Sequence, residues 1–320
     1  MEEVRRYYFD YVQEKNLKKY FSNHSTVTSV QRIREYVQTA DDESGEDCAS
    51  CDARSTSQQT SLWLVFGHRV IYDSNGQPER EEDFCYETPN LVLATGSFDQ
   101  PNTLRVKGED LPYICHSLPE LEHCIRSERL GSESHPVVVV GAGLSAADAI
   151  LHLLSLSVPV IHILRRDADN PQIIYRQLPP KLYPEYHTVY RLMQGKDKDD
   201  RYKSYSVMDI IEFTEDRQVL LRSRQTGQEM MLQASCVVVL IGSRPDLSFM
   251  PTNILRNLGI VPGVGIHSPH NPVDVDPYTY QSNRYPGLYA MGPLVGDGFV
   301  RFLRGGALGI VSHLWQKQET

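Results

Sequence analysis

HPVVVVGAGLSAAD, residues 135–148, decides the fold. Four valines in succession, Val137 to Val140, predict a strand buried on both faces, because a half-exposed strand would alternate apolar and polar residues. The apolar run stops at a glycine turn, and an apolar helix is expected from Ser145 to about Ser157. Gly141, Gly143 and Ala146 fill the three small positions of a GxGxx(G/A) turn. In such a turn the first glycine permits a tight bend and the second lets the backbone approach a pyrophosphate. The third small residue lets the helix pack close to the strand. The helix N-terminus adds unpaired amides and the positive end of the helix dipole.

The next strand is expected from Val158 to Leu164 and completes a βαβ unit. It ends in Arg165 and Arg166. An acidic residue there would bind the ribose 2′-hydroxyl of NAD; two guanidinium groups suit a 2′-phosphate and favour NADP(H). The plainer alternative is a solvated basic pair.

Composition sets the frame around this unit. The chain has 320 residues, 40% of them hydrophobic, which allows one to three domains with sizeable cores. The formal net charge of -9 leaves no global basic field for nucleic acid or an anionic membrane. The start, MEEVRRYYFDYVQEK, lacks the apolar core of a signal peptide. The most apolar stretch, Ala149 to Leu164, is interrupted by His152, Ser155, Ser157, Pro159 and His162, so no membrane span is expected. The six cysteines are irregularly spaced and read as reduced thiols of a cytoplasmic protein. Cys48 and Cys51 form a CxxC pair, but their acidic, serine-rich surroundings read as a loop.

Upstream, an N-terminal helix is followed by an antiparallel meander over residues 26–86, broken by a polar insert from Asp41 to Ser61. PNLVLATGSFDQP, residues 89–101, is a short apolar strand stopped by Ala94, Thr95 and Gly96. A connector fills residues 102–134. Residues 167–204 read as irregular, and a second, smaller meander follows. SCVVVLIGSRPD is another buried strand with a glycine stop. In GLYAMGPLVGDGFVRFLRGGALG, Gly292 and Gly296 to Gly298 allow backbone to approach a ligand, and Asp297 could bind a ribityl hydroxyl. A helix beginning near Gly305 could aim its N-terminus at a flavin. The alternative is a glycine-rich loop and a core helix capped by Asp297.

In this order, NLVLATGSFDQPN, VVVVGAGLSAADAI, LRR, LIGSRPD and YAMGPLVGDGFVRFLRGGALG resemble the two-dinucleotide-binding flavoproteins, specifically the flavin-dependent monooxygenase group. Within that group the chain is similar to the oxidative stress-induced growth inhibitor family. The resemblance implies an α/β fold with two Rossmann-like dinucleotide domains, FAD and NADPH as cofactors, and a monooxygenase-like activity. It also implies a role in restraining growth and promoting apoptosis under oxidative stress, protein partners in growth control, and a cytoplasmic place that includes the midbody. By position, Gly141, Gly143, Ser145 and Ala146 would hold the NADPH pyrophosphate, and Arg165 and Arg166 the 2′-phosphate. Ala94, Thr95, Gly96, Gly292, Asp297 and Gly305 would border the flavin. The corresponding domains are a partial FAD-type domain with the meander over residues 1–130, an NADP(H) domain over 134–242, and a return to the FAD-type domain over 243–320.

Three departures from the pattern stand out. VKGEDLPYICHS, residues 106–117, has Val106 in place of an aromatic and a displaced His116. Pro293 occupies the place of the usual acid after YAxG. The glycines before residue 90 are Gly45, Gly67 and Gly76, from which no FAD turn can be built, so a shortened first domain is expected. A non-catalytic regulatory protein on the same fold is the alternative to an enzyme.

Overall fold

The computed structural model describes residues 2–36, 59–267 and 270–318. Cys48 and Cys51 lie outside the described residues. The chain divides into two compact units, Met1–Ser97 with Pro245–Thr320, and Phe98–Arg244.

The first unit opens with α1 (Glu2–Glu14), then β1 (Ser25–Tyr36), β2 (Gln59–Tyr72) and β3 (Pro78–Thr88). These strands form an antiparallel sheet in that order. Burial alternates along β2, with Trp63 and Val65 in the core and their neighbours partly exposed, as period-two side chains on a one-sided sheet require. The edge strand β3 is rich in Glu and Asp and mostly exposed, which discourages pairing with another chain. β4 (Leu91–Leu93) follows.

The second unit begins with β5 (Gln100–Pro101), β6 (Ile114–Cys115), α2 (Leu118–Glu128), β7 (Val137–Val140), α3 (Leu144–Ser155) and β8 (Val160–Ile163). Next come α4 (Ile174–Gln177), α5 (Pro184–Met193) and β9 (Tyr202–Tyr205). The small antiparallel sheet of β10 (Met208–Phe213), β11 (Gln218–Ser223) and β12 (Glu229–Gln233) follows, then β13 (Cys236–Val239) and β14 (Ser243–Arg244). Residues 98–130, assigned from sequence to the first domain, belong instead to this unit, because β6 pairs with β13 and α2 packs its apolar side on the sheet.

The central sheet has five parallel strands in the order β6-β13-β7-β8-β9. Both β7 and β13 are buried along their whole length, which explains their unbroken apolar runs. Helix α3 covers one face through Ala146, Ala147, Ala149, Ile150 and Leu153, and α5 joins the same core through Val189 and Met193.

The chain then returns to the first unit with α6 (Thr252–Leu255), β15 (Leu288–Ala290) and α7 (Val300–Gln318). Strand β15 pairs in parallel with β4. Helix α7 starts at Val300, so Gly305 lies inside it and not at its N-terminus. Packing explains two of the three glycines in this helix: a side chain at Gly309 would meet the Tyr278 carbonyl oxygen at 2.4 Å, and one at Gly306 would press on the Tyr280 ring at 3.2 Å. None of the helices is long and apolar enough to cross a membrane, among the described residues.

Candidate functional site

Strands β7 and β8 are paired in register, Val140 opposite Ile163. The glycine turn after β7 and the arginine pair after β8 therefore leave the sheet at the same carboxyl edge. In open α/β sheets this edge is where ligands bind.

Gly141 has φ +127°, outside the basins of L-residues, and its amide donates to the Ile163 carbonyl at 3.2 Å. A Cβ there would lie 2.2 Å from the Leu240 carbonyl oxygen, so the close passage of β13 also demands glycine. Gly143 is different. It is the extended N-cap of α3, with φ −92° and ψ 177°, and a Cβ would meet no protein atom within 4 Å. Among the described residues nothing in the packing calls for glycine at 143. Ala146 is fully buried beneath the turn, and Ser145 is half-buried in the first turn of α3.

Two side chains fix the turn's orientation. Nε2 of the buried His162 donates to the Gly141 carbonyl, while its Nδ1 accepts from the Tyr202 hydroxyl at 2.8 Å. The hydroxyl of the buried Tyr175 donates to the Gly143 carbonyl at 2.6 Å. A trans peptide points its N–H opposite to its C=O. Anchoring these two carbonyls therefore turns the amides of Ala142 and Leu144 the other way. The first amides of α3 have no acceptor within the helix, so the turn presents donors at the positive end of a helix dipole.

Burial lowers the His162 pKa from the ordinary 6.5 to about 4, against the opposing pull of its bond to Gly141. The neutral ring is the form that matches its two partners. Between these values the unfolded chain binds the extra proton, so the His162 contribution is complete above pH 6.5 and is lost as pH falls toward 4. The shift corresponds to about 3 kcal/mol. His162→Gln is expected to be less stable than the parent at pH 7, with the difference closing by about that amount at pH 4. Urea denaturation of both chains across this range, followed by circular dichroism, measures it; a constant difference would refute the role.

Arg165 and Arg166 are both exposed immediately beyond β8. Among the described residues neither has an ion pair or a hydrogen bond. Two cations thus stand beside the glycine turn's edge without internal partners.

The flavin-side residues lie in the first unit. Because β4 and β15 are parallel and the Met291 amide donates to the Leu93 carbonyl at 3.0 Å, Ala94–Gly96 and Gly292 emerge at one end of this pair. Ala94 and Thr95 are exposed, while Gly96 and Gly292 have φ of +79° and +68°. The Asp297 amide donates to the Gly292 carbonyl at 3.1 Å, and its carboxylate accepts from the Tyr280 hydroxyl at 3.2 Å. Gly305, exposed within α7, does not form part of that helix's N-terminus.

The divergent segment around His116 is a closed loop. Glu109 accepts from the Leu104 and Arg105 amides, each at 2.7 Å, and its Oε1 lies 3.2 Å from His116 Nε2. Burial raises the Glu109 carboxyl, but these three partners outweigh it and hold the group below the usual carboxylate range. His116 is committed to this loop.

His162, Tyr175 and Tyr202 support the glycine turn through hydrogen bonds, and the sequence does not single them out. His162 reads there as a polar interruption, and Tyr175 falls in the stretch taken as irregular. The available signal is a lone His inside an otherwise apolar buried strand, which needs partners.

The sequence profile of the pyridine nucleotide-disulphide oxidoreductases matches residues 80–292. The chain is 39% identical to oxidative stress-induced growth inhibitor 1 of Homo sapiens, over 99% of this chain and 63% of that protein. It is 38% identical to oxidative stress-induced growth inhibitor 2 of Homo sapiens over the same shares, 99% and 63%. The chain thus spans 63% of the length of these curated relatives. Among solved structures it is similar in fold to the bacillithiol disulfide reductase Bdr of Bacillus cereus. The TM-score is 0.62 at 18% identity, covering 99% of this chain and 78% of that one. The thioredoxin reductase of T. acidophilum gives a TM-score of 0.50 at 20% identity, covering 77% and 73%. The resemblance to the growth inhibitors and the two-dinucleotide flavoprotein fold therefore stand. A parallel sheet with a glycine turn at its carboxyl edge, and a profile match over most of the chain, make this a member of the pyridine nucleotide-disulphide oxidoreductase family.

Proposed function

We propose that residues 98–244 bind NADP(H), and that the chain forms part of an NADPH-dependent flavoprotein with monooxygenase-like activity. The observation that carries this reading is Gly143: among the described residues no atom explains the glycine, and the space its Cβ would fill lies at the N-terminus of α3. A pyrophosphate at that point would meet donors that His162 and Tyr175 have already oriented, so little ordering cost remains at binding. Arg165 and Arg166 would take the 2′-phosphate and Ser145 would add a hydroxyl. NADPH, when bound, supplies a hydride.

For FAD the fit is incomplete. Ala94, Thr95, Gly96, Gly292 and Asp297 offer backbone and one carboxylate for the flavin's far end. GAGLSA is the one GxGxx(G/A) turn in this sequence, and a second pyrophosphate finds no equivalent cradle among the described residues. The names of the relatives support a role in restraining growth under oxidative stress; apoptosis as the outcome and protein partners as the route are added by the proposal.

A second reading is a regulatory protein whose nucleotide site acts as a sensor. It is favoured by Pro293 in place of the acid, and by the Asp297 carboxylate being engaged by Tyr280. Isothermal titration of the purified chain with NADPH and NADH tests the shared part of both readings. NADPH is expected to bind with a micromolar Kd and NADH at least tenfold more weakly. No heat of binding with either nucleotide would remove the proposal. Flavin absorbance that bleaches on adding NADPH separates the enzyme from the sensor.

A further inference from the structure

Four cysteines are described, and the three buried ones meet at one point. Cys115 comes from the edge strand β6, Cys236 from the neighbouring β13, and Cys124 from α2, which lies over that edge. Their Sγ atoms all lie within 4.8 Å of one another, and those of Cys115 and Cys236 are 3.7 Å apart. Cysteines buried as small apolar residues need not converge in this way. Thiolates on one ion must: a metal–sulfur bond of about 2.3 Å puts tetrahedral ligands ~3.8 Å apart and trigonal ligands ~4.0 Å apart.

A disulfide is the competing use of adjacent thiols, and the sheet register opposes it for the closest pair. Cys115 stands opposite Val238, two residues beyond Cys236 on the parallel strand. Strand spacing and rise then separate the two Cα atoms by ~8 Å, beyond the ~7 Å that a disulfide spans. Sulfur atoms can meet across that diagonal through a bridging ion without moving the strands.

We propose that Cys115, Cys124 and Cys236 form a three-thiolate site for a monovalent copper ion. The coordination number selects the metal. Among the described residues no fourth His, Cys, Asp or Glu joins the cluster, and the wall around it is the apolar core of Leu121, Ile125, Val137 and Val238. Zinc sites close with four protein ligands or keep a water as the fourth, and among the described residues this cluster offers three. Soft monovalent copper is suited to sulfur alone. Binding releases three thiol protons. The nearest cation in the electrostatics of Cys124 and Cys236 is Arg217, whose guanidinium forks onto Glu128 at 2.6 and 2.8 Å and bonds the Ser235 carbonyl at 2.7 Å, so it is held in place beside the cluster. The ion would tie α2 to the β6–β13 edge of the nucleotide-binding sheet.

The test uses the full chain with Cys48, Cys51 and Cys85 replaced by serine, so that only the cluster can bind through sulfur. The protein is produced in copper-supplemented cells, purified without oxygen, and assayed by elemental analysis and X-ray absorption at the copper edge. The expected result is about one copper per chain with three sulfur neighbours. Cys124→Ser should lose the metal at unchanged circular dichroism. The absorption spectrum reads the three-sulfur shell in the parent chain, so the result does not depend on a variant that folds. Three outcomes would overturn the proposal: copper at background, a zinc ion held in preference, or a disulfide joining Cys124 to either neighbour with no metal present.

Discussion

Gly143→Asp is expected to weaken NADPH binding by about 100-fold while leaving the fold as stable as the parent or slightly more so. The two effects have separate causes at one residue. Position 143 is the extended N-cap of α3 and has no side-chain cap of its own. Aspartate is a preferred N-cap and its charge suits the positive end of the dipole, so the helix gains a few tenths of a kcal/mol, roughly. The same carboxylate occupies the space where a Cβ meets no protein atom, and it repels a diphosphate there. Gly141→Ala should do the reverse kind of damage. With φ +127° and the Leu240 carbonyl 2.2 Å from a new Cβ, the strand β13 must shift or the turn must open. Strain and overlap together put the loss at about 4 kcal/mol of folding stability. Urea denaturation and NADPH titration on both variants separate the roles. If Gly143→Asp binds NADPH like the parent, the crevice is not the pyrophosphate site.

The strand–turn–helix unit was legible in the sequence because each residue there answers a local demand. Four valines need burial on both faces, a glycine follows where φ turns positive, and alanines follow where the helix must approach the sheet. Sheet order was less legible. The apolar run of β13 says that the strand is buried but not that it lies between β6 and β7, because neighbours in a parallel sheet are chosen by crossovers and not by local pattern. Residues 98–130 fell in the wrong part of the domain plan for this reason: two residues of β6 carry little pattern, yet they attach the segment to β13.

The same limit governs the site. Gly141, Gly143, Arg165 and Arg166 are placed at one edge by neighbouring strands, which the βαβ reading anticipates. The support from His162, Tyr175 and Tyr202 depends on side chains meeting across long sequence separations, and nothing in a tyrosine-rich stretch announces which hydroxyl will reach a glycine carbonyl. The three buried thiols carry no spacing signal either, because α2, β6 and β13 bring them together only after the sheet has formed. Gly305 misled for the opposite reason. A glycine pair resembles a helix start, but here Gly306 is fitted against Tyr280 within a helix already begun at Val300.

Replacing both Arg165 and Arg166 with alanine is expected to raise the Kd for NADPH by about 100-fold and to change that for NADH by less than about threefold. Both side chains are exposed, and among the described residues neither engages an internal partner. Their removal therefore leaves no buried acceptor unpaired, and folding stability should stay within about 0.5 kcal/mol of the parent. A charge-assisted bond to a phosphate contributes roughly 1.5–3 kcal/mol, and losing the pair at an exposed position gives about 3 kcal/mol in all. The nucleotides differ only at the 2′-position, so the NADPH-to-NADH ratio isolates the phosphate from the rest of the crevice. Single variants refine the assignment: an arginine that forks onto the phosphate should not be replaced by lysine without loss, whereas one acting as a diffuse charge should tolerate lysine and show affinity that falls with added salt. Equal weakening of NADPH and NADH would move these two cations off the ribose and onto the shared diphosphate; no change in either would leave them as a solvated pair.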